Sequence, residues 1–495
     1  MSSNAGETDP ARTLESTIIE HGISKRGAIN FIDRDVWGPR EKSMGNPWAP
    51  NNPGGTYVPS FLYKHFANTI DGLFPARVIL RLAENSLMHE EVSRYLLEQM
   101  NVLPVEHLSY STGPRGSRRL RRAAATLLNE AFQSRTPVTY DNILVTPGLA
   151  SAIDGITFSI CDDGDGILIP QPLYNGFQFD MLNRSNVQVT GVKYEGVEGF
   201  KGLDDLFKPD INSRALENAL TGARKAGINV RALLISNPHN PLGRCYPPET
   251  LLEFAAFCGR NNLHLISDEI YALSVFSNPE APSLNKFTSI LSLDLDPIIG
   301  PERKHVLYGA SKDFCANGLR MGFIYTKNEG ILGAMSSIGM FSWSPHILQD
   351  AWAAMIENGE WMKTFMKKKT QLMLDRYKTT TAFLSEHGIA YVDMNAGFFI
   401  WIDLRQFLVS QPQEQQVGTD IGHKTLPSSQ PTLESELKFA DICMENGVMV
   451  APGHVYMSEE YGWFRITFTV GQEALEEGLK RILISLKKMQ TGDSH

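Results

Sequence analysis

The stretch Tyr308–Gly322, YGASKDFCANGLRMG, sets Lys312 directly after a short apolar run and Arg320 eight positions later. A lysine held at the mouth of an α/β sheet forms a Schiff base with a carbonyl, and a guanidinium near it holds a phosphate. Other reactive residues take the same kind of place, after strand-like runs. Asn142–Thr146 (NILVT) leads through Pro147-Gly148 into a helix beginning at Leu149 and Ala150, whose free backbone N–H groups make an anion site. Ala232–Ile235 ends in SNPHNPLG (Ser236–Gly243), a rigid turn that presents Asn240. Leu263–Ile266 ends in SDEIY, with Asp268 at the strand end and Tyr271 on the same side if a helical turn follows. GWFR (Gly462–Arg465) sets Arg465 at the start of a late strand.

Together these residues match what pyridoxal phosphate needs. The aldehyde needs a lysine, the phosphate a helix start with side-chain donors, and the pyridine nitrogen a carboxylate. The phenolate oxygen needs donors, and an amino-acid substrate needs an arginine for its own carboxylate. The sequence offers candidates for these needs in Lys312, Arg320, Leu149, Ala150, Asp268, Asn240, Tyr271 and Arg465. Each also has a plain reading taken alone: a tight turn, solvated acids after a strand, a lysine beside a helix cap, an arginine paired in the core. Their joint placement at strand ends, where open α/β sheets bind ligands, favours the cofactor site. No metal-ligand spacing is present.

The elements that must position these groups alternate between strand and helix. Asn142–Thr146, Gly166–Pro170, Val187–Val192, Ala232–Ile235, Leu263–Ile266, His305–Tyr308 and Gly322–Tyr325 are apolar runs, several separated by helix-length segments such as Pro248–Arg260. This predicts a mostly parallel sheet covered on both faces. After about Trp343 the pattern changes to long helical stretches over Pro345–His387. Strand-like Ala390–Asp393, Phe398–Ile402, Val448–Pro452 and Trp463–Phe468 follow, then a closing helix over Glu473–Met489. Gln411–Ser435 is polar and reads as a loose surface insertion, and Asn46–Gly55 as an irregular arm. The expected domains are residues 1–80 (arm and part of a small domain), 81–343 (large α/β domain) and 344–495 (rest of a small α+β domain built from both chain ends).

At 495 residues the chain exceeds one compact core. A formal charge of −9 gives no basic field for nucleic acid or anionic membrane. Five arginines between Arg115 and Arg122 read as a solvated helix face, capped by Ser117 after the Gly113-Pro114-Arg115-Gly116 turn. Five cysteines without CxxC spacing suit a reducing compartment. With a polar start and no run of membrane-spanning length, a soluble cytoplasmic protein is expected.

The motifs LAENSL (Leu82–Leu87, after Arg81), SNPHNPLG, SDEIY, SKDF…GLRMG and GWFR resemble those of fold-type I pyridoxal-phosphate enzymes of the class I/II aminotransferase family. More narrowly, they look like the 1-aminocyclopropane-1-carboxylate (ACC) synthase-like branch. The resemblance spans roughly residues 60–485. It implies that Lys312 binds the cofactor and moves protons at the substrate Cα, with Asp268 on the pyridinium. It implies Asn240 and Tyr271 at the phenolate oxygen, and Leu149, Ala150 and Arg320 at the phosphate. Tyr174 would pack on the ring, Arg465 would hold the substrate carboxylate, and Glu84 would face the substrate side chain. Tyr110 would cross a homodimer interface. Two departures stand out. Many relatives carry a serine where this chain has Gly309, leaving Ser311 as the candidate substitute, and Tyr110 is followed by a longer turn, STGPRGS.

The expected chemistry begins with Lys312 removing the Cα proton. Return of that proton to the cofactor makes an aminotransferase, the leading reading, whereas loss of a β or γ substituent makes a carbon–sulfur or ACC synthase-type lyase. A catalytically silent dimer is the third reading, from another class.

Overall fold

The computed structural model describes residues 78–100, 105–409 and 430–491. The expected arm, and the polar insertion up to residue 429, lie outside the described residues.

The central sheet contains β1 (Ile143–Thr146), β2 (Gly166–Pro170), β3 (Gln188–Val192), β4 (Val230–Ser236), β5 (His264–Asp268), β6 (Lys304–Gly309) and β7 (Gly322–Thr326). Their order is β1-β7-β6-β5-β4-β2-β3. Neighbours are parallel except at β7, which runs against both β6 and β1. Every residue of β1, β2, β6 and β7 is buried, which explains why these strands read as continuous apolar runs. Side chains alternate between two cores. Val145, Leu168, Leu233, Leu265, Val306 and Phe323 enter one, and Leu144, Ile167, Leu234, Ile266, Leu307 and Ile324 the other. Helix α1 (Leu149–Ile160) follows β1, α2 (Gly176–Ser185) follows β2, and α3 (Ala310–Asp313) follows β6.

Two long helical pieces come next, His346–Glu357 and α4 (Gly359–Glu386). The early part of α4 stacks Trp361 and Phe365 near Tyr95 and Phe314, while Tyr377 farther along meets Phe276 and Phe468. A second, antiparallel sheet holds β8 (Ala390–Tyr391), β9 (Phe399–Asp403), β10 (Ala451–Pro452) and β11 (Trp463–Thr467), in the order β10-β11-β9-β8. Val78–Ile79 pairs in parallel with Val448–Met449.

The end of the expected loose insertion is corrected. Thr432 caps α5 (Leu433–Glu445) in a reciprocal capping box with Ser435, so these polar residues start a helix. The chain closes on α6 (Gln472–Thr491). The arginine-rich helix Arg118–Glu130 is capped by Ser117 as expected, but Arg121 is buried and donates to the Gly116 and Tyr140 carbonyls. Among the described residues no helix is long and apolar enough to cross a membrane.

Candidate active site

Strands β1, β4, β5 and β6 deliver their carboxyl ends to one edge of the sheet. Asp268, the last residue of β5, is buried, and its Oδ1 accepts the Ile270 N–H at 3.1 Å. Burial pushes its carboxyl up to about 7, opposed by that N–H and by the Lys312 cation. Tyr271 is buried in the turn that follows, edge-on to Phe398 and Phe399 at 5.4 and 5.5 Å. The Asn237 N–H donates to the Asp268 carbonyl at 2.9 Å, locking the SNPHNPLG turn to the end of β5.

From that turn, buried Asn240 reaches the second sheet. Its Oδ1 accepts from Arg465 Nη1 at 2.9 Å, while Arg465 Nη2 donates to the Arg81 carbonyl at 2.7 Å. The guanidinium lies between the Phe399 ring (4.8 Å) and the Tyr456 ring (4.9 Å). Arg465 Nε is buried and has no acceptor among the described residues.

Lys312 sits on α3, half-buried, and its Nζ donates to the Ala83 carbonyl at 2.6 Å. Burial, then the Arg465 cation, lowers its amine to about 8, although Glu84 and Asp268 pull the other way. The LAEN segment therefore covers the lysine. Glu84 lies within electrostatic reach of it and stands 3.8 Å from His89 Nε2.

The anion end is built at β1. Gly148 has φ +83, and a Cβ there would fall 2.4 Å from Arg320 Nη2, so the guanidinium rests on the glycine at the start of α1. The first-turn N–H groups of Leu149 and Ala150 have no partner within a helix. Arg320 is itself held at φ +54, a conformation uncommon for non-glycine residues, with its Nη1 donating to the Asn317 carbonyl at 3.0 Å. Gly309 explains one departure. A Cβ on it would come 2.6 Å from the Met321 carbonyl and 3.1 Å from Gly322 Cα, so backbone packing leaves no room for a serine. Ser311 stands half-buried on α3, next to Lys312.

Tyr174 lies on the loop before α2, its ring edge-on to Phe177 at 5.2 Å and packed over Gly176. It lines a small cavity with Ser236, His239 and Asn240. Tyr110 is placed differently from the rest. It is 82% exposed and, among the described residues, meets only the edge of the Trp343 ring, at 6.1 Å.

Two groups at the site carry no sequence signal. Asp180, within α2, has its carboxyl pushed up to about 7 by burial and by the charges of Asp154 and Asp268. Tyr456 stacks on Arg465, and its carbonyl accepts the Leu173 N–H at 2.8 Å, tying the second sheet to the Tyr174 loop. Among the described residues no cluster of His, Cys, Asp or Glu is arranged to hold a metal ion.

The family model for aminotransferase class I and II matches residues 78–482, a span that includes every site residue above. The chain belongs to this family. Among its relatives are proteins named probable aminotransferase, ACC synthase and ACC synthase-like, one of the last named probable inactive. A probable aminotransferase gliI of Aspergillus fumigatus is 32% identical over 410 residues, covering 82% of this chain and 88% of the relative. The ACC synthase-like protein 1 of Bos taurus is 31% identical over 486 residues, covering 96% and 85%. The aromatic aminotransferase of Pyrococcus horikoshii OT3 shares the fold at a TM-score of 0.64 and 22% identity, covering 85% of this chain and 98% of that one. As a member of the family, the protein is an aminotransferase-class enzyme with the α/β architecture expected from its strand pattern.

Proposed function

We propose that the protein is a pyridoxal-phosphate-dependent aminotransferase acting on a small amino-acid-like substrate. The observation that carries the reading is the Asn240–Arg465 hydrogen bond of 2.9 Å. It joins a donor expected at the cofactor ring to the arginine expected at the substrate carboxylate, in the same cleft as Lys312 and Asp268. The residues fit the cofactor. Gly148, Leu149, Ala150 and Arg320 form an anion cradle, with Ser311 the candidate hydroxyl beside it. Asp268 is a carboxylate dry enough to share a proton, and Arg465 Nε is a buried donor awaiting an acceptor.

Bound there, the cofactor supplies an electron sink for a substrate carbanion. The rest is done by side chains. Arg465 pairs with the substrate carboxylate, and its flanking rings exclude water from the pair. Lys312, once free, takes the Cα proton, and an amine near pH 8 is well matched to that work. With the cofactor bound, Asp268 would keep the ring nitrogen protonated, Asn240 and Tyr271 would donate to the phenolate oxygen, and Tyr174 would pack on the ring. Glu84 faces the substrate beside Lys312.

The lyase reading is kept because a relative named ACC synthase-like aligns over 96% of the chain. A single turnover separates the two. Holoenzyme is mixed, without keto-acid acceptor, with amino acids, S-adenosylmethionine and cysteine conjugates. Stoichiometric pyridoxamine phosphate plus a keto acid supports the aminotransferase. Released thiol, ammonia or ACC with the cofactor unchanged overturns it in favour of the lyase. Lys312→Ala, folded but unable to turn over, is the control for the site.

The division at residues 1–80, 81–343 and 344–495 is part of the same reading, supported by the pairing of Val78–Ile79 with Val448–Met449. So is a homodimer. Tyr110 shares an exposed face with Leu108, Met340 and Phe341, brought together where Pro114 packs on Gly339.

A further inference from the structure

Behind Lys312 lies a buried charge pair that the reading above does not use. Asp313, the last residue of α3, and Lys369, on α4, both have 0% side-chain exposure. The Asp313 carboxylate accepts the Leu273 N–H at 2.8 Å, the Tyr308 hydroxyl at 2.9 Å and the Ser274 hydroxyl at 2.5 Å. Lys369 Nζ donates to the Asp313 carbonyl at 2.9 Å and to Ser274 Oγ at 3.1 Å, and stands 3.6 Å from Asp313 Oδ1. Burial raises the Asp313 carboxyl, and Lys369 is the largest influence pulling it back.

The partners come from separate segments. Leu273 and Ser274 end the turn that carries Asp268 and Tyr271, Tyr308 belongs to β6, and Lys369 to the long helix α4. Helix α3 has four residues, too few to be rigid unaided. A buried ion pair is also a poor source of net stability beside packed apolar side chains. A carboxylate ringed by fixed donors instead supplies geometry, and this one is next in sequence to the lysine.

We propose that Asp313 is a positioning residue for Lys312. Its carboxylate fixes the lysine turn at a set spacing from the Asp268–Tyr271 turn, and Lys369 is the fixed countercharge that ties both to α4. The proposal rests on Lys312 being the cofactor lysine. That premise is tested separately, by borohydride reduction of the wild-type holoenzyme and peptide mass mapping. A label on another lysine ends the functional reading, whatever Asp313 does.

With the label on Lys312, the test compares holoenzyme variants by kcat, KM and the pH titration of the bound-cofactor absorbance. Asp313→Ala is expected to lower kcat about ten- to a hundredfold, the scale of a small misplacement of a reacting group, and to move the titration midpoint. Asp313→Asn combined with Lys369→Met removes both charges, while the amide oxygen can still accept from the Leu273 N–H and the Tyr308 hydroxyl and the amide N–H can donate to Ser274 Oγ. It is expected to restore kcat to within about threefold of wild type, because position rather than charge is what the lysine needs. If Asp313→Ala does not fold, Ser274→Ala takes its place, since it removes one donor to the carboxylate and one acceptor from Lys369. It is expected to lower kcat about threefold or more at unchanged KM and to shift the midpoint. A folded variant with a lowered melting temperature but wild-type kcat and midpoint overturns the proposal and leaves the pair a structural one.

Discussion

Lys312 and Asp268 are displaced from their ordinary acidities in directions that suit the roles proposed for them. The nucleophile toward an aldehyde is the neutral amine, and burial lowers the Lys312 amine from 10.5 to about 8. The rate at which cofactor-free protein combines with pyridoxal phosphate should therefore rise with pH and level off near 8. A rate still climbing at pH 10 would contradict a buried lysine. Asp268 carries the opposite consequence for stability. Its carboxyl holds a proton up to about 7 in the folded protein but releases it near 3.8 when unfolded. The folded state thus loses ground as pH rises between those values, and loses no more above them. In cofactor-free protein, Asp268→Asn should be more stable than wild type at pH 8, by on the order of 1–4 kcal/mol, with the gap closing toward pH 4. Urea melts at the two pH values measure this, and an equal gap at both would mean that Asp268 is well solvated. As candidates, Lys312, Asp268, Asn240 and Tyr271 stood out in the sequence because each lies at or just after the end of a strand-like run, and Arg465 because GWFR opens one. Asp180, Asp313 and Lys369 did not. Lys369 lies in Lys367-Lys368-Lys369, a run that reads as a solvated helix face, and only tertiary packing selects which of the three is buried.

At the scale of elements, the strand pattern carried the architecture because strands buried on both faces write themselves as uninterrupted apolar runs. All seven strands of the main sheet lie where those runs do, with ends differing by one or two residues. The polar start of α5 was missed because Thr432 and Ser435 carry the composition of a loop while forming a helix cap. Gly309 gives a test of how tightly β6 and β7 are joined. Gly309→Ser, which would restore the family's common serine, should destabilise the protein by about 1–3 kcal/mol, because the new Cβ meets backbone atoms that cannot move cheaply. It should also weaken rather than strengthen retention of pyridoxal phosphate, measured by equilibrium dialysis. Tighter retention at unchanged stability would show that the strands can part to admit a side chain.

For the whole molecule, the proposed homodimer turns on the face bearing Tyr110 and Phe341. Phe341 is 91% exposed, beside exposed Met340 and two residues before Trp343, whose ring meets exposed Tyr110, a costly arrangement for a chain that stays alone in water. Mass measurement in solution should give twice the 55.1 kDa of the chain. Phe341→Glu should shift the population to monomer and lower activity along with it, whereas a fully active monomer would remove Tyr110 from the site. The reversed strand β7 has a separate consequence. Because β7 runs against β6, residues 310–321 leave and re-enter the sheet at the same edge, pinned where Gly309 faces Gly322. Lys312 and Arg320 both hang from that closed span. One inserted residue would lengthen it by about 3.5 Å, more than a hydrogen bond tolerates, without disturbing a single strand pair. On the proposed roles of Lys312 and Arg320, the count of residues in this loop is a ruler that sets how far apart the aldehyde and phosphate ends of a ligand must be.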